Sequence, residues 1–308
     1  MAKNDVTILV NSCDKYEDAW EPFFNLLKIQ WPECAYNIVL STETKSYACD
    51  YFNVKTINTK SDLPWSSRLK EVLKQIETEY VLFFLEDFFL LDKVNVKNFD
   101  LALDLMRSDK KTCLVEFPSM EGNYKESNNI NEKRTFSKVP LFKDYRAKVM
   151  VSLWRTRDFE NLVFENEDPW LCEKETSVRS MAYGKKIYCQ DYTYSLPVFN
   201  YCINPDLGYG ITQGKWLVNN KPFFEKNGIH GVNYDNLGIL EKPKGYGQLK
   251  DEELNKKKEY VNSVLKNKGT GNKIKDVIHI YKRMIMKTLK MDKALKIIKY
   301  KKIYKNHQ

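Results

Sequence analysis

The chain reads as an α/β protein. Short apolar runs suited to strands alternate with helical patterns, and one run stops abruptly at two carboxylates. Val6–Val10 (VTILV) is the first strand-like run, followed by the polar NSCDKY. EDAWEPFFNLLKIQWP then repeats apolar residues at helical spacing through Trp20, Phe23, Phe24 and Leu27, and Pro32 closes it. Asn37–Leu40 (NIVL) is another strand. A second helix follows Trp65, with Ser66 and Ser67 as candidate N-caps and Leu69, Val72, Leu73 and Ile76 on its apolar side. Tyr80–Leu85 (YVLFFL) has no polar face, as expected of a strand covered on both sides. This order gives a Rossmann-like half of about one hundred residues. Glu86-Asp87 then falls at the carboxyl end of a strand, where open α/β sheets bind ligands.

Several function classes drop out. No GxGxxG follows the first strand and no GxxxxGK[ST] occurs, so dinucleotide and P-loop chemistries are not expected. CxxC is absent and there are only three histidines, which disfavours zinc. Seven cysteines without paired spacing read as reduced thiols of a cytoplasmic protein. No run of about eighteen apolar residues appears, and the N-terminus has no apolar h-region.

Charge is concentrated at one end. From Lys273 onward there are twelve Lys or Arg against two Asp, while the whole chain carries only +9. Val277, Tyr281, Met284, Met291, Leu295 and Ile298 recur on one helical face of that segment, with Lys282, Arg283, Lys287, Lys290 and Lys293 mostly opposite. A basic amphipathic helix of this kind suits an anionic membrane surface. The stripe also suits a contact on the main domain or a homodimer. Nucleic acid is not an expected partner, because no recognition motif accompanies the charge. Lys266–Lys273 reads as a linker, and Gly122–Lys138 as a long polar loop. The expected division is a domain over 1–265, with halves of about 1–115 and 116–265, and a tail over 266–308.

The sequence SSRL followed by FFLEDFFL resembles the nucleotide-sugar half of GT-A-type glycosyltransferases, of the bacterial capsule or lipopolysaccharide surface-glycan kind. The likeness extends over most of residues 4–240. It implies a mixed sheet ahead of the basic helical tail, and places the donor's base and ribose beside Ser12 and Asp14. It implies that Glu86 and Asp87 hold a divalent metal, Mn or Mg, on the donor diphosphate. Glu-Asp-Phe departs from the family's Asp-x-Asp, so metal-independent transfer stays open, with Lys215 and Arg68 stabilising the leaving group.

ENEDPWLCEKE (165–175) is similar to the acidic acceptor motif of inverting members. There Glu173, or else Asp168, would be the base that takes the acceptor hydroxyl's proton. Trp170 and Glu167 would bind the acceptor sugar, Trp170 by stacking on its C–H face. The same acids also suit the first turn of a helix. YGITQGKWL (209–217) offers Lys215 to a phosphate, and Arg155 and Arg157 are further cations.

Together these features imply a nucleotide-sugar donor, a lipid-linked glycan acceptor and attachment to the inner face of the plasma membrane through 273–308. A sugar-nucleotidyltransferase is the alternative enzyme, although NSCDKYED is not its Gly-rich loop. A non-catalytic, membrane-recruited nucleotide-sugar-binding protein is the alternative outside enzymes.

Overall fold

A computed structural model describes residues 5–59, 62–119, 134–203, 209–242 and 291–305. The chain divides into two units, Met1–Glu241 and Lys242–Gln308. The first is built on β1 (Val6–Asn11), α1 (Trp20–Gln30), β2 (Asn37–Thr42), β3 (Val54–Asn58), α2 (Trp65–Leu73), β4 (Tyr80–Leu85) and α3 (Val96–Ser108). It continues through β5 (Thr112–Glu116), β6 (Phe136–Lys138), β7 (Ser152–Arg155), α4 (Thr156–Leu162), α5 (Pro169–Tyr183) and β8 (Lys186–Gln190). A small sheet of β9 (Ile211–Thr212), β10 (Lys215–Leu217) and β11 (Ile239–Leu240), with α6 (Asn220–Lys226), completes it.

The main sheet has eight strands in the order β3-β2-β1-β4-β7-β5-β8-β6. β1, β2, β3 and β4 run parallel, and β1 is buried along its whole length between β2 and β4. The alternation of apolar strands and amphipathic helices therefore does what the sequence predicts. β7 enters antiparallel between β4 and β5, which makes the sheet mixed and leaves β4 and β5 pointing the same way. Phe83 of β4 and Glu116 of β5 both pair with Ser152 of β7. Two strand spacings thus separate them, about 10 Å along the sheet. One face carries an aromatic core in which Phe23 meets Phe84, and Phe199 meets Phe84, Phe99 and Phe117 edge-on.

The start of α2 differs from expectation. Its N-cap is Pro64, and Ser66 and Ser67 lie inside the first turn. Their hydroxyls accept from the backbone N–H groups of Glu167 (2.8 Å) and Asn166 (3.0 Å), while the Ser66 N–H donates to the Glu167 carbonyl. The serines therefore fasten a distant loop rather than cap their own helix. That loop is held from the other side by Arg179 of α5, whose guanidinium meets both carboxylate oxygens of Glu167, at 2.6 and 2.8 Å. Arg179 also lies over the Phe164 ring.

α5 begins as its sequence suggests. Asp168 accepts from the Leu171 N–H at 2.8 Å, Pro169 opens the helix, and Gly184 ends it in the left-handed region. The expected polar loop 122–138 ends in β6, while its part up to residue 133 lies outside the described residues. So do the expected linker 266–273 and the tail up to residue 290. In the second unit, α7 (Met291–Lys305) is a helix, with Leu295 and Ile298 about half exposed. No helix among the described residues is long and apolar enough to cross a membrane.

Removing one partner of a buried ion pair strands the other charge. Glu167→Gln should therefore cost about 3–5 kcal/mol in urea unfolding. A loss under about 1 kcal/mol would show that solvent reaches the pair.

Candidate functional site

The register of the parallel strands builds the site. Asn11 pairs with Leu85 and with Ser41, so residues 12–14, 43–45 and 86–87 leave the sheet side by side at its carboxyl edge. Glu86 and Asp87 form the turn after β4 and are only 6% and 8% exposed. Burial raises the pKa of Glu86, and the Asp87 charge beside it adds to the effect. Burial also raises that of Asp87, against a backbone N–H from Ile211 that favours its charged form.

The segment 209–217 packs directly on this turn. The Gly210 N–H donates to the Asp87 carbonyl at 3.2 Å. A Cβ at Gly210 would sit 2.1 Å from the Phe89 ring and 2.9 Å from that carbonyl, so only glycine permits the approach. The β9–β10 hairpin then turns through Gln213 (φ 54°) and Gly214 (φ 74°), the two positive φ angles of a tight hairpin turn. Gly214 comes down over Lys15, whose Nζ lies 3.4 Å from the position a Cβ would take. The Tyr16 phenol sits near Glu86 and Asp87, and its pKa rises to about 12, chiefly through burial and then through the Glu86 charge.

The remaining expected donor residues are placed as follows. Ser12 is buried, accepts from the Trp20 indole N–H at 2.7 Å and supports the Glu86 carboxylate. Asp14 turns away toward the loop after β2, where it accepts from the N–H groups of Glu43, Thr44 and Lys45 at 3.0–3.2 Å. Its side chain is a loop clamp. Arg68 forms an ion pair with Glu43, which also accepts from the Asp14 N–H. Glu43 was not singled out by sequence, because its partners are remote in the chain. Lys215 is exposed on β10. Arg155 lies at the opposite edge of the sheet, held by Glu79 and the Met106 carbonyl, and Arg157 pairs with Glu160. Neither belongs to this edge.

A second pair of carboxylates lies further along. Glu173, on α5, accepts from the Val149 N–H at 3.1 Å, and Glu116, at the end of β5, accepts from the adjacent Lys148 N–H at 2.8 Å. Burial lifts Glu116 to about 7 and raises Glu173 as well, while Lys148 opposes both shifts. Lys148 makes no ion pair within 4.0 Å among the described residues. Glu116 was missed in the sequence although TCLVE has the signal that exposed Glu86, an apolar strand closed by an acid. The other acidic-motif residues are engaged elsewhere: Glu167 holds Arg179, and Asp168 caps α5. Trp170 is 78% exposed on the first turn of that helix.

Two adjacent carboxylates are hard oxygen donors of the kind Mg²⁺ and Mn²⁺ accept, and Glu86 and Asp87 fit that chemistry once deprotonated. No group of three or more His, Cys, Asp or Glu able to hold a metal occurs among the described residues. A cation there would need phosphate or water oxygens to complete its shell.

No protein-family model and no curated protein matches the chain. Among solved structures it is similar to S. aureus TarS 1-349 in complex with UDP, with 16% identity and TM-score 0.41, covering 59% of this chain and 57% of that one. The same fragment with UDP-GlcNAc gives 17% identity and TM-score 0.40 over 60% and 55% of the two chains. The mannosyltransferase PcManGT from Pyrobaculum calidifontis, in complex with GDP-Man and Mn²⁺, gives 10% identity and TM-score 0.41 over 64% and 56%. The chain thus spans little more than half of the TarS fragment. Scores this low carry no functional weight, which rests on the site itself.

The buried acids make stability depend on pH. In the folded chain Glu86, Asp87 and Glu116 keep protons that an unfolded chain releases near pH 4, so stability falls as pH rises from there through neutrality. Glu86→Gln should accordingly raise the melting temperature at about pH 8 and have little effect at about pH 5. An equal change at both pH values would mean that the turn is ionised throughout.

Proposed function

We propose that this protein transfers a sugar from a nucleotide-sugar donor to a hydroxyl of a glycan acceptor, in the manner of GT-A-type glycosyltransferases. The observation that carries the reading is the pair of acid clusters on one sheet edge. Glu86 and Asp87 follow directly on β4, and Glu116 ends the co-directional β5 beside Glu173. The first suits a divalent cation on a donor diphosphate and the second an acceptor hydroxyl.

In the reaction the acceptor oxygen attacks the anomeric carbon. The bond from that carbon to the phosphate oxygen breaks, and the nucleoside diphosphate leaves with the electron pair. Glu173 takes the hydroxyl proton, and a single displacement inverts the configuration. Lys148 keeps Glu173 closer to its ionised form than burial alone would allow. Glu86 and Asp87 are the residues that would hold a divalent cation, whose charge would stabilise the departing diphosphate. Lys15, against Gly214 of the β9–β10 turn, and the exposed Lys215 that follows it on β10 offer further positive charge to it. The acceptor we favour is a lipid-linked surface glycan, reached through the basic segment 273–308 at the inner face of the plasma membrane.

The direct test is melting of the full chain with UDP, GDP or CDP, with and without Mn²⁺. A ligand at a hundred-fold excess over Kd stabilises by about 2.7 kcal/mol. Asp87→Asn should abolish the Mn²⁺-dependent part. Glu173→Gln should leave the donor shift intact and lower kcat by roughly 10²–10⁴-fold. Wild-type turnover in Glu173→Gln would overturn its role as base, and no shift with any nucleotide would overturn the donor site.

The tail has its own measurement. Deleting residues 273–308 should abolish sedimentation with anionic liposomes while nucleotide binding persists, and about 1 M salt should weaken attachment of the full chain. A full-length protein that ignores anionic liposomes at low salt rules the membrane role out and leaves pairing of two copies as the use of the stripe.

A further inference from the structure

Beside Glu173 the structure opens a small cavity of about 10 Å³ between α2, α5 and the face of the sheet. Its floor is apolar and buried, formed chiefly by Leu69, Phe83, Trp154 and Phe159. Trp154 stacks on Phe159 with ring centroids 4.2 Å apart, and Phe159 meets Phe83 edge-on, so the floor is rigid. The rest of its lining includes the half-buried Trp65, Lys148 and Glu173, which bring polar groups to it.

A space of this size holds about one water or one methyl group, and a water there would need two to four polar partners. The floor supplies almost none. The Thr176 hydroxyl, the one oxygen-bearing side chain below the rim, is occupied by the Leu162 carbonyl, Arg179 and Cys172. An apolar occupant suits the slot, and the carboxylate at its mouth calls for a hydroxyl next to that occupant.

We propose that the slot receives a methyl group of the acceptor sugar, the C6 methyl of a 6-deoxyhexose or the methyl of an N-acetyl group, while a neighbouring hydroxyl meets Glu173. Trp65 covers the sugar's apolar face at the rim. This rests on the acceptor side of the function proposed above and narrows the acceptor to methyl-bearing sugars.

Saturation-transfer NMR on the full-length protein tests it with matched pairs: L-fucose against L-galactose, and N-acetylglucosamine against N-formylglucosamine. In at least one pair the methyl protons should receive the strongest saturation, and the methyl-bearing sugar should bind about 10-fold more tightly, the usual worth of one methylene in a hydrophobic pocket. The pair that responds tells a C6 methyl from an acetyl methyl. Ala147→Leu fills the slot from its wall, and Val149→Phe closes it at the half-buried rim. Either variant, once shown to melt cooperatively, should remove the advantage and leave binding of the methyl-free sugar unchanged. Equal binding within both pairs, no binding by any of the four sugars, or an advantage that survives both substitutions overturns the proposal. Nucleotide-induced stabilisation is read separately. Its presence with no methyl preference sinks only the slot, and its absence sinks the donor site while the sugar pairs still report.

Discussion

The organisation of this molecule depends on two neighbouring carboxyl groups buried at the end of a strand with no polar face. Removing Glu86 and Asp87 from water opposes their ionisation, and the Asp87 charge adds to the effect on Glu86. The chain retains the turn by wrapping backbone around it. Gly210 and Ile211 donate their N–H groups to Asp87, and the Gly210 carbonyl in turn accepts from the Leu217 N–H and from the Asn220 side chain. The small sheet and α6 are thereby anchored to the acid turn. A buried acidic pair is a costly foundation for a fold, and its position at the carboxyl edge of parallel strands is where binding a divalent cation would offset the cost.

A second constraint fixes the geometry between the acid clusters. Ser66, Ser67, Asn166, Glu167 and Arg179 form a clasp joining the first turn of α2 to α5. α2 carries Arg68 toward the edge where β1 and β4 end, and α5 carries Glu173. A buried ion pair contributes little net stability against an apolar replacement, so the clasp matters more for where it sets the two helices than for how strongly. The apolar slot beneath Glu173 lies between these same helices, and its width follows from their separation.

The parts of this architecture set by local pattern are legible in the sequence. YVLFFL, VTILV and NIVL become parallel strands, WSSRLKEVL and the segment after Asp168 become helices, and the acids after β4 fall at the strand end. Long-range partners are where the sequence runs out. The hydroxyls of Ser66 and Ser67 suit an N-cap until a loop about a hundred residues away takes them. Asp14 looks free for a ligand until the loop after β2 brings three backbone N–H groups to it. Glu167 looks like part of an acceptor motif, yet Arg179 twelve residues on, one helix face away, claims it. The insertion of β7 between β4 and β5, which makes Glu116 a neighbour of the site, has no signature in either strand.

The two acid clusters also differ in a way that assigns their proposed roles. Glu86 and Asp87 face each other and a phenol, and no ion pair reaches either among the described residues. Such a pair holds protons near neutrality and suits exchanging them for a metal cation more than taking a proton from an alcohol. Glu173 is only partly buried, hydrogen-bonded by one backbone N–H, and has the Lys148 ammonium nearby. Lys148 and that N–H oppose the upward shift that burial gives it, and its partial exposure keeps a path to solvent for the proton it would take. Environments that push titratable groups apart are what separate an acid or cation site from a base within one cleft. Of the acids in the segment 165–175, Glu167 is committed to Arg179 and Asp168 to capping α5. Glu173 joins an accessible position to a neighbouring cation, and Glu116 beside it is too deeply buried to meet a sugar directly.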